Sequence, residues 1–206
     1  MMSQRPVLLA FDMEGVITPE IWIAVAEHTG IPKLRLTTRD IPDYDQLMRG
    51  RLALLREHGL KLRDIQQVIS TLAPLPGATE FVRKIRQRHP FIILSDTYYE
   101  FAAPLLKQLD WPVLFCNSLE TDADNNVVNY HLRQRDGKKQ AAIHFKQLNF
   151  RVLAVGDSYN DTAMLAEADQ GILFRPSEKV RTAFPQFPVV SEYTALEEHI
   201  TAFAAR

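Results

Sequence analysis

The chain has 206 residues, of which 46% are hydrophobic and 24% are charged. These values are typical of globular proteins and exclude a largely disordered chain, which combines low hydrophobicity with high net charge. The formal net charge is -1, so no excess of basic residues favours nucleic acid or an anionic membrane as a partner.

The single cysteine, Cys116, excludes an intrachain disulfide, and we expect it to be a small buried hydrophobe. The histidines form no short-spaced pair, so a histidine-based metal site is not expected. The longest apolar runs, Val7–Phe11 and Ile21–Ala26, are far shorter than the roughly 20 residues of a membrane-spanning helix. Asp12 and Glu14 interrupt the N-terminal apolar stretch, which makes it a poor signal peptide. We therefore expect a soluble, cytoplasmic protein.

Short apolar runs alternate with amphipathic segments along most of the chain. The runs are rich in Val, Ile, Leu and Phe, which is typical of strands covered on both faces. The predicted strands are Val7–Phe11, Phe91–Leu94, Val113–Cys116, Arg151–Val155 and Gly171–Phe174. The predicted helices are Ala78–Arg88, Tyr98–Leu109, Lys138–Leu148, Asp161–Ala168 and Tyr193–Phe203. This order predicts an α/β fold with a Rossmann-like, mostly parallel sheet and helices on both of its faces.

The stretch after the first strand contains no convincing strand. It predicts three helices, Pro19–Thr29, Tyr44–His58 and Leu62–Leu72, of which the last has a strongly amphipathic pattern. Such an insertion is too long for an ordinary strand-to-helix loop. We therefore predict a helical cap over residues 18–75 and an α/β core formed by residues 1–17 and 76–206.

Residues 119–133 also interrupt the alternation. Asp122–Asn126 is a cluster of turn-forming residues, and the apolar side chains of Val127, Val128, Tyr130 and Leu132 follow it. This pattern predicts a β-hairpin appended to the sheet.

Polar side chains follow three of the predicted strands. Asp12 and Glu14 follow the first, Ser95-Asp96-Thr97 follows the second, and Asp157 and Asp161 follow the fourth. Ligands of open α/β sheets bind at the carboxyl ends of the strands, so these groups should converge. Carboxylates held close together repel one another, and a divalent cation with oxygen ligands, Mg²⁺, is the common remedy.

Each of these pieces has a plainer interpretation when taken alone. An acid after a strand can cap the next helix or face solvent, and Ser95-Asp96-Thr97 is typical of an N-cap cluster. The combination at successive strand ends favours a catalytic site.

In this order the residues resemble those of the haloacid-dehalogenase-like phosphatases and phosphotransferases. That family has a nucleophilic Asp, a second acid two residues on, a Ser or Thr, a Lys and a later acidic motif. The matching residues are Asp12, Glu14, Ser95, Lys138, Asp157 and Asp161. Along almost its whole length the chain further resembles the phosphoserine phosphatase branch, and most closely the bifunctional phosphoserine phosphatase/homoserine phosphotransferase proteins. The stretches that carry this resemblance are Asp12–Trp22, Thr38–Asp45, Leu94–Phe101 and Gly156–Asp161.

The resemblance implies Mg²⁺-dependent phosphoryl transfer from phosphoserine through an aspartyl-phosphate, with water or homoserine as acceptor. Asp12 would be the nucleophile and Glu14 the general acid and base. Asp12, Asp157 and the backbone carbonyl of Glu14 would hold the metal. Ser95 and Lys138 would bind the transferring phosphoryl oxygens.

Three details remain open at this stage. Asp161 would orient metal-bound water or the lysine. Lys138 begins a predicted helix and fits the family spacing, but Lys139 is adjacent and could contact the phosphoryl group instead. Glu14 stands where most relatives have Asp, whereas the bifunctional branch shares the Glu. We hypothesise that the longer side chain tolerates a second alcohol beside water.

Arg51 and Glu20 are the candidate groups for recognising an amino acid. Arg51 lies on the apolar stripe of the predicted helix Tyr44–His58, and an inward-facing cation needs an anion. That anion is either an Asp or Glu of the chain or the substrate carboxylate. Glu20 fits a helix start, and by resemblance it binds the substrate ammonium. Ser95, Asp96 and Asn160 match further substrate-contacting positions.

Two other functions stay in competition. The core motifs also suit a phosphatase for another small phosphomonoester, and a receiver-like signalling module also places a phosphorylatable Asp at a sheet edge. The insertion and the acid pair Asp157 and Asp161 favour an enzyme.

The Phe184–Pro188 stretch is expected to be exposed and to be available for a homodimer.

Overall fold

The computed structural model describes residues 5–38, 40–41 and 43–206. Its strands are β1 (Val7–Phe11), β2 (Phe91–Tyr98), β3 (Val113–Thr121), β4 (Val127–His131), β5 (Arg151–Gly156), β6 (Gln170–Phe174) and β7 (Val189–Val190). They form one sheet in the order β4-β3-β2-β1-β5-β6-β7. All neighbours are parallel except β3 and β4. The predicted α/β fold is therefore confirmed.

The helices before β2 are α1 (Ile21–Thr29), α2 (Tyr44–Glu57), α3 (Leu62–Ser70) and α4 (Ala78–Arg86), with a 3₁₀ turn at Pro32–Arg35. The later helices are α5 (Tyr99–Gln108), α6 (Gly137–Gln147), α7 (Thr162–Glu167), α8 (Glu178–Ala183) and α9 (Tyr193–Ala204), with a 3₁₀ turn at Tyr159–Asp161. None of the helices in the described part of the chain has the length and hydropathy needed to cross a bilayer.

The sheet has a hydrophobic core on each face. On β1, Leu9 and Phe11 pack into the core that includes α1, α3, α4, α5 and α9. Leu8 and Ala10 point to the other side and pack with residues of α6, α7 and α8. Alternate side chains of a strand face opposite sides, so a strand between two helical layers is apolar throughout. All five residues of β1 are accordingly buried.

The inserted helices α1, α2 and α3 agree with the sequence prediction. Helix α1 begins at Ile21 with Glu20 as its N-cap, rather than at Pro19. Helix α3 buries Leu62, Ile65, Val68 and Ile69 along one face, as its apolar spacing indicates.

The appended hairpin is also present. β3 pairs antiparallel with β4, from Ser118 opposite His131 to Thr121 opposite Val127, and β4 is the outermost strand on this side of the sheet. Asn125 in the connecting turn has a φ of 68°, a value that asparagine tolerates better than most residues.

Some boundaries and elements differ from the sequence prediction. β2 continues past Leu94 to Tyr98, and its polar residues 95–97 conceal this continuation from a hydrophobicity pattern. Helix α8 and strand β7 were not predicted, because both are very short. The prediction that Phe184 and Phe187 are exposed is wrong, since both rings are half-buried against the core that holds α8.

The last helix reaches the loop that follows β1. The hydroxyl of Tyr193, at the start of α9, donates a 2.6 Å hydrogen bond to the backbone carbonyl of Val16. The tyrosine ring stacks on Phe81 and Phe174. The loop is therefore fixed by an element far away in the sequence.

Candidate active site

The sheet order brings the predicted site residues together. β1 lies between β2 and β5, so the ends of these three parallel strands lie side by side. Asp12 follows β1, Ser95 lies near the end of β2, and Asp157 follows β5. The convergence expected at the carboxyl ends of the strands is therefore found.

A buried ion-pair cluster forms the floor of this site. The ammonium nitrogen of Lys138 lies 2.8 Å from Asp12 Oδ1 and 2.7 Å from Asp161 Oδ1. Asp12, Lys138 and Asp161 are 4%, 6% and 0% exposed. Lys139 also lines the cleft but is half-buried, so Lys138 is the lysine that contacts the carboxylates.

The electrostatics of the floor show an excess of negative charge. Burial lowers the pKa of Lys138, but the carboxylates of Asp12 and Asp161 outweigh this effect and hold it well above its usual value. Burial raises the pKa of Asp157 to about 7, and the charge of Asp161 adds to this increase. Burial likewise raises the pKa of Asp12. One lysine therefore does not neutralise three acids.

The same carboxylates fit a divalent cation. One oxygen from each of Asp12, Asp157 and Asp161 lies within 4.8 Å of the others. Asp161 is already engaged, because Oδ1 accepts from Lys138 and Oδ2 accepts from the backbone nitrogens of Asp157 and Ser158 at 3.0 and 3.1 Å. Asp12 and Asp157 are thus better placed to supply ligands, and an all-oxygen set suits Mg²⁺.

Two glycines allow this close approach. A Cβ atom at Gly15, where φ is +80°, would lie 2.6 Å from a carboxylate oxygen of Asp157. A Cβ at Gly156 would lie 2.3 Å from the Cβ of Asp161. Real Cβ atoms do not approach other atoms so closely, so a side chain at either position would push the acids apart.

The end of β2 supplies the polar side of the site. Ser95 is buried, and its hydroxyl accepts a 3.2 Å hydrogen bond from the backbone nitrogen of Thr97. The carboxylate of Asp96 accepts from the amide of Asn160 at 2.9 Å and lies 3.6 Å from the Lys138 ammonium. The N-cap interpretation of residues 95–97 is wrong, since they belong to the strand and face the cleft.

The loop after β1 and the inserted helices supply the opposite wall, where Glu14 lies in the loop, Glu20 at the start of α1 and Arg51 on α2. A carboxylate oxygen of Glu14 accepts from the backbone nitrogen of Ile21 at 2.9 Å. Burial raises the pKa of Glu14 to about 7, and the negative charge of Glu20 contributes. Glu20 itself is exposed at the N-cap of α1 and lines the cleft.

Arg51 is 7% exposed and has no carboxylate partner among the described residues. One of its terminal nitrogens donates to the backbone carbonyl of Leu36 at 2.7 Å, and the other contacts the sulfur of Met48 at 3.6 Å. Its guanidinium carbon lies 4.5 Å from the ring centre of Trp22. Its Nε is buried and has no hydrogen-bond partner within residues 5–38, 40–41 and 43–206. The alternative of an internal salt bridge is therefore not observed within the described part of the chain.

A cleft of about 680 Å³ joins the floor and the wall. The predicted residues that line it are Asp12, Glu14, Glu20, Arg51, Ser95, Asp96, Lys138, Asp157 and Asn160. Asp161 lies beneath it, fully buried. The cleft also contains Tyr44, Asn117 and Arg133, which sequence reasoning missed, and Thr97, which was noted only as part of the polar segment 95–97. Tyr44 and Thr97 carry a signal, because both lie in the stretches that carry the family resemblance.

The family of the chain is settled by its sequence relatives. A profile of the haloacid dehalogenase-like hydrolases matches residues 7–169, and the chain belongs to this family. The chain is 56% identical to the phosphoserine phosphatase ThrH of Pseudomonas aeruginosa, over 97% of each chain. It is 58% identical to a phosphoserine phosphatase of Pseudomonas syringae pv. tomato, over 93% of this chain and 81% of the relative.

Solved structures share the fold at low sequence identity. A structure described as a phospho-aspartyl intermediate analogue of phosphoserine phosphatase aligns with a TM-score of 0.73 at 18% identity, over 90% of this chain and 92% of the other. A substrate-bound phosphoserine phosphatase aligns with a TM-score of 0.72 at 16% identity, over 93% and 95% of the two chains.

Proposed function

We propose that this protein is a Mg²⁺-dependent phosphoserine phosphatase that acts through an aspartyl-phosphate on Asp12. The observation that carries the proposal is the buried contact of Asp12 with Lys138 at the edge of the sheet, beside Asp157 and Asp161. Relatives with this activity in their names match nearly the whole chain, which supports the same choice of substrate.

In the first step, a carboxylate oxygen of Asp12 attacks phosphorus in line, and the bond from phosphorus to the seryl oxygen breaks. Glu14 gives its proton to the departing oxygen and so releases serine. The raised pKa of Glu14, about 7, allows a substantial fraction of it to be protonated near neutrality. In the second step, Glu14 accepts a proton from water, and the water oxygen bonds to phosphorus. The bond from phosphorus to the Asp12 oxygen breaks, which releases phosphate and restores the Asp12 carboxylate.

Ser95 and Lys138 bind the non-bridging oxygens of the phosphoryl group while it passes from the seryl oxygen to the carboxylate oxygen of Asp12. Asp12, Asp157 and the backbone carbonyl of Glu14 would hold Mg²⁺, which supplies positive charge against the repulsion between the carboxylate and the phosphate. Asp161 orients Lys138 through the 2.7 Å contact described above.

The wall formed by the inserted helices recognises the amino acid. Arg51 is buried and has no carboxylate partner in the part of the chain that the structure describes, and the α-carboxylate of phosphoserine would supply the missing anion. Glu20 binds the ammonium group, while Asp96 and Asn160 complete the pocket on the opposite side. We propose that residues 18–75 act as a cap whose movement admits substrate and releases product.

We further propose that homoserine replaces water as the acceptor in a second activity, so the protein serves serine and threonine biosynthesis in the cytoplasm. The longer side chain of Glu14, relative to the Asp of most relatives, would let it reach an alcohol that stands farther from phosphorus. A Glu14→Asp variant tests this idea. An unchanged ratio of hydrolysis to transfer would reject it.

One incubation separates the main alternatives. The protein is mixed with phosphoserine, Mg²⁺ and homoserine, and every phosphorylated product is identified by mass spectrometry. Phosphate and serine indicate the hydrolase, and phosphohomoserine indicates the transferase. A stable phosphoprotein without turnover would favour a receiver-like module, and turnover of other phosphomonoesters alone would favour a different substrate.

A further inference from the structure

A buried asparagine connects two segments of the active site. Asn117, on β3, is 6% exposed and uses both ends of its side-chain amide. The amide nitrogen donates to the backbone carbonyl of Asp96 at 3.1 Å. The amide oxygen accepts from the backbone nitrogen of Arg133, also at 3.1 Å.

The first connected segment is an irregularity in β2. Leu94 pairs with Phe115 and Tyr98 pairs with Asn117, so β2 has more residues than β3 between these two pairs. The extra length is the segment 95–97, which presents Ser95 and Asp96 to the cleft. Such an irregularity interrupts the regular ladder, so its backbone groups need other partners. The carbonyl of Asp96 accepts hydrogen bonds from the side-chain amide of Asn117 and from the hydroxyl of Tyr44, and the second of these is 3.3 Å long.

The second connected segment leads from β4 into α6. It begins near Arg133 and delivers Lys138 in the first turn of the helix. The segment has a tight course, because Asp136 at the N-cap has a φ of 52°. The guanidinium of Arg133 lies over the ring of Phe115 at 5.0 Å, two residues before Asn117 on β3. The segment is therefore anchored to β3 immediately before the lysine.

We propose that Asn117 is a positioning residue that fixes the Ser95 segment and the Lys138 segment relative to each other. Asparagine has the smallest side chain that carries a donor group and an acceptor group on one planar unit. Both groups are used here. Asn117 acts through the two backbones and not on the phosphoryl group. The proposal rests on the proposed function in that it takes Ser95 and Lys138 as the ligands of one phosphoryl group.

The test combines amide hydrogen exchange with kinetics on the full chain. Asn117→Ala removes both hydrogen bonds, and Leu114→Ala removes a buried side chain from the same strand away from the cleft. In Asn117→Ala we expect at least about 10-fold faster exchange in both segments, 95–98 and 133–138, and about a 10–100-fold lower kcat with a smaller change in KM. In Leu114→Ala we expect kcat to stay within about twofold of the wild type.

Asn117→Asp gives a second comparison if Asn117→Ala folds poorly, since it keeps the shape and the acceptor for Arg133. With an ionised carboxylate it loses the donor, so exchange should rise at 95–98 and stay near the wild-type rate at 133–138. Unchanged exchange at 95–98 in Asn117→Asp, or an equal loss of kcat in Leu114→Ala, would overturn the proposal. Hydrogen exchange needs no substrate, so wild-type protein without phosphoserine turnover would refute the proposed function and leave the test of Asn117 intact.

Discussion

The two ends of the cleft satisfy their charges in different ways. At the carboxyl ends of β1, β2 and β5, called the sheet edge from here on, Lys138 contacts two carboxylates. There Asp161 accepts hydrogen bonds on both of its oxygens. At the cap end, Arg51 is equally buried but contacts only a carbonyl, a sulfur and an aromatic ring among the described residues. The charges at the sheet edge are paired with one another in the absence of a ligand. The Arg51 guanidinium at the cap end can still pair with an anionic group of a ligand.

This difference suggests a division of labour. In the proposed mechanism, preorganised charges at the sheet edge lower the barrier of the chemical step, because they need no rearrangement when charge develops. Arg51, which has no ion pair with a carboxylate among the described residues, would instead stabilise a substrate that brings an anion, and so would select that substrate. Changes at the sheet edge should therefore lower kcat, and changes at the cap end should raise KM.

The largest effect is expected at Asp12. Asp12→Asn removes the proposed nucleophile while keeping the shape of the side chain, so phosphoserine turnover should fall at least about 10⁴-fold. The mass of rapidly quenched protein should show a phosphoryl adduct in the wild type and none in the variant. Asp124→Asn, in the exposed turn between β3 and β4, is the control and should retain full activity. Intact turnover in Asp12→Asn would refute the mechanism.

The second effect is expected at Lys138. Lys138→Met should lower kcat about 10³-fold, because the developing phosphoryl charge loses its cation. The variant should also be about 3–5 kcal/mol less stable to urea, since Asp12 and Asp161 lose their buried partner. Lys139→Met is the matched control on the next residue, and we expect nearly unchanged kcat. Equal effects of the two substitutions would contradict the assignment of Lys138.

The third effect is expected at Arg51 and concerns KM. Arg51→Ala should raise KM for phosphoserine about 10–100-fold, as a charge-assisted contact to the carboxylate is lost. Turnover of p-nitrophenyl phosphate, which has no such carboxylate, should change much less. Arg49→Ala removes an exposed arginine from the same helix and serves as control. Retained phosphoserine turnover at low substrate concentration in Arg51→Ala would favour a different phosphomonoester.

The smallest effect is expected in the dependence of stability on pH. The folded pKa of Glu14 is about 7 and lies above its ordinary value of 4.5, so the folded state binds more protons than the unfolded state between these values. The metal-free protein should therefore lose stability as pH rises through this window. The loss attributable to Glu14 is about 3 kcal/mol, at about 1.4 kcal/mol for each pH unit.

Urea unfolding from pH 4.5 to 8 in EDTA measures this effect. Glu14→Gln should flatten the profile, and Mg²⁺ should stabilise the wild type more at pH 8 than at pH 5, where Asp157 is also protonated. A profile that rises with pH in EDTA would contradict the predicted pKa shifts.

The sequence predicts the site residues at the carboxyl ends of the strands better than those on the inserted helices. Asp12, Ser95 and Asp157 follow apolar strands directly, and the rule for strand ends places them together without further information. Arg51 was found because it interrupts the apolar stripe of α2, but the sequence left its partner open. Its contact with Leu36 depends on the loop before α2, where residues 39 and 42 lie outside the described part of the chain.

Asn117 and Thr97 show what the sequence could not predict. Asn117 ends a run of apolar residues and resembles an ordinary strand end, and its importance follows from two backbone groups far away in the chain. Thr97 belongs to a segment whose polarity favours a helix cap, although the structure continues it as a strand. In both cases tertiary pairing decides the outcome, and local residue preference does not.

The position of β1 in the sheet has a consequence for folding during synthesis on the ribosome. Its neighbour β5 begins at Arg151, and the tyrosine that holds the loop after Asp12 is residue 193. Asp12, the proposed nucleophile, is thus synthesised before β5 and α9, and its surroundings are completed only after both of these elements have been made. A nascent chain should therefore acquire activity abruptly, and only after α9 has left the exit tunnel.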